Sequence, residues 1–227
     1  EAAPLRKRNE RESARARWAA ATNLASRIRD CASRLAQMSA RWGWQDETRD
    51  VLWAATNAPA PQWALQMLHR IYQTTGETSG MLRVAQRMLE AEPENDGAKN
   101  NVAILSLLLD KDTAPALETA KALYAEHPEN GVFASTYAFA LHRTGRTAEG
   151  LEVMKKISPD QLQEPGVAVY YAALLGATGA HRFECFGYRI ERPREIKTRF
   201  AAGYHLRQAI GEVLHGEPRR VWRRREI

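Results

Sequence analysis

Five places where a helix can turn back on itself recur along this chain at almost constant spacing. They are Gly43, Gly76, Asp110, Gly145 and Gly179, separated by 33, 34, 35 and 34 residues. A helix commonly ends on a residue with left-handed backbone, which glycine adopts freely and aspartate at small cost. A period of about 34 residues marks a chain built from copies of one small unit. Such a unit cannot bury its apolar face alone, so the fold has to come from stacking.

Offsets from each corner carry the same register. Eight residues before it stand Leu35, Leu68, Val102, Tyr137 and Tyr171, all apolar. Seven before stand Ala36, His69, Ala103, Ala138 and Ala172, four of them small. Four before stand Ser39, Tyr72, Ser106, Leu141 and Leu175. After the corners a second helical stripe follows, as in Leu82, Ala85, Met88 and Leu89, then Leu117, Ala120, Leu123 and Tyr124, then Leu151, Met154 and Ile157. Two of these second helices run into matching endings, Glu92-Pro93-Glu94-Asn95 and His127-Pro128-Glu129-Asn130. Proline cannot continue a helix, and the asparagine is placed to cap the next one.

A helix–turn–helix unit of this length, with an apolar–small pair, a later aromatic or leucine, glycine at the turn and proline at the end, resembles the tetratricopeptide repeat. Leu68, Tyr72, Gly76 and Pro93 match it best, with Ala138, Leu141 and Gly145 in a later unit. The resemblance covers residues 29–180, four repeats and a half. It implies an all-α solenoid of stacked antiparallel hairpins and a protein-binding rather than catalytic role. Departures are His69 at a small-residue site, Pro115 early in a second helix, and no aromatic at the motif's aromatic site in the first unit, 29–61, where Ser39 stands.

The rest of the chain divides around that block. Residues 1–28 read as a basic segment and a helix, the remnant of a preceding repeat. Trp18, Ala21, Leu24, Ala25, Ile28, Ala32, Leu35 and Met38 form one stripe, on a long helix or on two with a break near Asn23, expected to bury against the first repeat. Residues 181–227 read as a divergent Arg-rich tail, with one short helix over 195–214 and disorder elsewhere. Residues 1–30 hold 8 basic and 4 acidic side chains, and 181–227 hold 12 and 6, so the body between is mildly acidic. Nucleic-acid domains gather basic residues on one folded face, so nucleic acid is disfavoured as a partner.

Chemistry is not written in motifs here. Cys31 and Cys185 form no ligand or disulfide pattern, and the six histidines fall in no metal-binding spacing. There is no phosphate-binding glycine loop and no nucleophile elbow. No enzymatic activity, cofactor or metal is expected. His69 reads as a core or groove residue, and His127 as a helix-end residue favoured by the dipole. Trp42, Trp44, Trp53 and Trp63 read as a packing cluster. No apolar run approaches the roughly 20 residues a spanning helix needs. The N-terminus has basic residues without an apolar stretch after them, so no intact signal peptide is read. A cytoplasmic setting is expected, or a periplasmic one if a signal was removed.

Binding residues follow from the helical period. Ten, six and three residues before each corner lie on one stripe, which the repeat architecture directs to a concave groove. It reads Ser33, Gln37, Ala40; Gln66, Arg70, Gln73; Asn100, Ile104, Leu107; Ser135, Phe139, His142. Amides and hydroxyls both donate and accept, which suits an extended peptide backbone. Phe139, Ile104 and Leu107 are expected to make an apolar pocket beside them. Some tetratricopeptide proteins clamp a terminal carboxylate with lysine, arginine and asparagine. Arg70 and Asn101 are present here but the lysines are not. The expected partner is a protein or peptide; the alternative is that the Arg-rich ends dock on an anionic surface, membrane or nucleic acid.

Overall fold

A computed structural model describes residues 11–25, 28–58, 61–178, 183–185 and 188–190. The chain forms two compact units, 1–72 and 73–227, whose division falls within one helix. The first unit holds α1 (Arg11–Ala25), α2 (Arg29–Arg41), α3 (Gln45–Ala55) and most of α4 (Gln62–Thr75). The second holds α5 (Thr78–Ala91), α6 (Asp96–Leu108), α7 (Thr113–Glu126), α8 (Gly131–Arg143), α9 (Thr147–Met154), the short α10 (Pro159–Leu162) and α11 (Pro165–Ala177). A two-stranded antiparallel hairpin, β1 (Phe183–Cys185) and β2 (Tyr188–Ile190), follows.

The corners are left-handed turns. Gly43, Gly76 and Gly145 have φ of 72°, 75° and 81°, and Asp110 has 56°. None of these four lies inside a helix. Gly179 lies outside the described residues. The α6–α7 corner needs two left-handed residues, with Asp112 at φ 48° as well. Arg143 reaches across to Asp110 with a 2.9 Å ion pair, tying α8 to that corner. Caps form where the sequence places them. Asn95 Oδ1 accepts from Ala98 N at 2.9 Å, and Asn130 Oδ1 accepts from Val132 N and Phe133 N at 3.0 and 3.3 Å. Pro115 is the third residue of α7, where its missing N–H leaves no helical bond unmade.

In the second unit α5 to α9 each pack on the next and α10 packs on α11, while the first helices of successive repeats also touch, α6 with α8 and α8 with α11. The small-residue site is the reason they come so close. Ala103, Ala138 and Ala172 are all buried. Against Ala138 sits Gly150 of α9, where an added Cβ would lie 2.6 Å from the Ala138 carbonyl oxygen and 2.8 Å from Leu174 Cδ2. Tyr124 of α7 stacks on Tyr137 of α8 at 5.4 Å.

In the first unit α2 and α3 make the hairpin, with the hydroxyls of Ser39 and Thr48 meeting at 2.8 Å in its interior. Ala36 is fully buried there, whereas His69 on α4 is only partly covered. The tryptophans divide: Trp44 packs against Trp42 and, edge-on, against Trp18, while Trp53 donates its indole N–H to Tyr72 Oη at 2.9 Å.

Two sequence expectations change. The upstream stripe does not stay on one buried face: α1 ends at Ala25 and α2 begins at Arg29, so Trp18, Ala25 and Ala32 are buried while Leu24, Ile28 and Met38 are exposed. The tail is not without structure at Phe183–Cys185 and Tyr188–Ile190, which pair in the register Phe183↔Ile190. Apolar–polar–apolar alternation around Phe186-Gly187 is a strand signal that a search at the helical period passes over. Residues 1–10, the expected helix over 195–214 and the Arg-rich end lie outside the described residues.

Candidate interaction surface

The stripe ten, six and three residues before the corners divides by exposure. On α4, Gln66, Arg70 and Gln73 all face solvent, one above another at i, i+4 and i+7. None of the three side chains has a hydrogen bond or ion pair with a described residue. Asn101 on α6 is also exposed.

The other candidates sit deeper. Ser135 is buried, and its hydroxyl donates to Val132 O at 2.9 Å. Phe139 is fully buried, 4.9 Å from the ring of Tyr170 on α11 and 6.0 Å from His142. Ile104 and Leu107 are buried too, so the expected apolar pocket is filled space between first helices lying side by side. Helical period gives the angle of a residue around its own helix, not which flank a neighbour covers. Asn100 is buried with its Oδ1 unpaired among the described residues, which leaves an acceptor without a donor.

His142 is half-buried, with Nδ1 3.0 Å from Thr147 Oγ1. Burial, and then the neighbouring Arg143, push its pKa below the usual imidazole value, so the neutral ring is favoured. Tyr170 is driven the other way by the same cause: desolvation raises its phenol well above the ordinary value.

One cluster escaped the sequence reading. Asp96, at the start of α6, and Glu126 and His127, at the end of α7, bring their potential ligand atoms within 4.8 Å of one another. Asp96 Oδ2 lies 3.1 Å from His127 Nε2, and Lys99 Nζ lies 3.2 Å from Asp96 Oδ1. With both carboxylate oxygens engaged, the set reads as an ion-pair clasp between α6 and α7 rather than an open metal site. Asp96 and His127 are 31 residues apart, and only the repeat register would have brought them together. The depression at the α8 N-terminus, lined by Glu129, Asn130, Gln161 and Glu164, is bridged by Gln161 Nε2 donating to Glu129 O at 3.0 Å.

Left-handed corners about 34 residues apart, alanine-spaced hairpins and proline-ended second helices define a tetratricopeptide-like helical repeat protein. The chain is similar to the crystal structure of a tetratricopeptide repeat protein from Parabacteroides merdae ATCC 43184, at 15% sequence identity and a TM-score of 0.50. The match covers 94% of this chain and 80% of that one. No protein-family model and no curated protein matches the chain. The likeness establishes the fold, an α-solenoid of helical hairpins, and folds of this kind commonly mediate protein–protein interaction. Among the described residues no helix is long and apolar enough to cross a membrane.

Proposed function

We propose that this protein is a non-catalytic interaction scaffold that holds a peptide or protein segment against the first helices of its repeats. The observation that carries this is the exposed row Gln66, Arg70 and Gln73 on α4. Three side chains rich in donors and acceptors stand at one face with no partner of their own, as a surface that pairs with another backbone requires. Asn101 belongs to the same reading on α6. Ser135, Phe139 and His142 enter the reading by fixing α8 and its neighbours in the second unit, where Asn100 carries a buried unpaired acceptor.

The test is capture by the immobilised full chain and by the variant Q66A/R70A/Q73A. Partners retained by the wild type and lost from the variant, with retention little changed between about 0.15 and 0.5 M salt, support the reading. Capture that survives the triple substitution and collapses with salt instead moves the binding to the charged ends.

A further inference from the structure

A separate surface on α2 is also left open among the described residues. Ile28, Cys31, Leu35, Met38 and Trp42 follow one another at intervals of 3, 4, 3 and 4 residues, the spacing of a two-helix seam. This seam is open. Ile28 is 55% exposed, Met38 45% and Trp42 44%, and Cys31 is exposed with a free thiol.

The repeat architecture says what belongs there. Met38 stands five residues before its corner; at the same place in the later repeats Ile71 is partly covered and Leu105, Ala140 and Leu174 are 9%, 0% and 0% exposed. Leu174 is covered by the preceding second helix, at Gly150 of α9. In the first unit α1 packs on both α2 and α3 and still leaves Met38 open. The position is one that this fold fills with a helix.

Charge narrows the occupant. Arg34 and Arg41 flank one edge of the seam, seven residues apart, both exposed and neither in an ion pair with a described residue. The opposite edge, Ala32 and Ser39, is buried within the chain's own hairpin. Two copies of the seam laid antiparallel would set arginine against arginine, and a parallel pairing would drive that edge into the hairpin body. We infer that the open face of α2 is a docking site for an amphipathic helix of a partner protein whose flank is acidic. It does not depend on the α4 surface.

The experiment titrates the full chain with two labelled synthetic helices, one with leucine at the seam positions and glutamate beside them, and its twin with lysine in place of glutamate. Fluorescence anisotropy reads affinity, and mass spectrometry follows alkylation of Cys31. The acidic helix is expected to bind at least about tenfold tighter than its twin and to slow alkylation of Cys31. M38D, at an exposed site that leaves the fold intact by circular dichroism, is expected to weaken it about tenfold or more. R34E/R41E is expected to reverse the preference towards the lysine helix. Equal binding of the two helices, binding to neither, or unprotected Cys31 overturns the inference. So does a dimer in sedimentation that M38D dissociates, because the face would then hold a second copy.

Discussion

At the scale of the residue, two glycines near one another in sequence do different jobs. Gly145 has φ of 81° and nothing within 4 Å of an added Cβ, so only its backbone matters. Gly145→Ala is expected to cost about 1–2 kcal/mol, and Gly145→Asn less, since asparagine tolerates the left-handed region. Gly150 is needed for its missing side chain. Gly150→Ala brings a methyl against the Ala138 backbone and is expected to cost about 1–3 kcal/mol, with no relief from asparagine. Denaturant midpoints of the four variants separate the two causes. The corners were legible in sequence because a positive φ restricts which residues can stand there; Gly150 was not, because crowding depends on a helix twelve residues upstream.

At the scale of the element, the same contrast explains which helices were read correctly. Their ends carry local signals in Asn95, Asn130, Pro93 and Pro128, and those signals act within one turn. The flank that each helix buries is set by its neighbours, so Phe139 was read as a groove residue when it is core. Phe139→Ala is therefore expected to lower stability by about 3–5 kcal/mol in thermal or denaturant melts. The clasp between α6 and α7 gives a pH signature. Hydrogen bonds from Lys99 first and His127 second hold the Asp96 carboxyl below its ordinary value of 3.8. A carboxyl depressed by folding adds stability above that ordinary value and loses it as the pH falls through the lowered one. The Tm gap between the wild type and Asp96→Asn is expected to be small, to be fully present near neutrality, and to close as the pH drops below 3.8.

At the scale of the whole molecule, repeat proteins are held together by neighbours, so damage should stay local. Leu174 is fully buried between α11 and α9. Leu174→Ala is expected to speed amide exchange in α8, α9 and α11 while leaving α5 and α6 nearly unchanged, as hydrogen-exchange mass spectrometry would read. Uniform acceleration across α5–α11 would mean that this unit opens as one body instead. The alanines at Ala103, Ala138 and Ala172 carry a last consequence. A methyl is the smallest spacer a side chain offers, so drift at these sites has almost nowhere to go. Such a lineage grows by duplicating or shedding an entire hairpin, and its length changes in steps rather than by degrees.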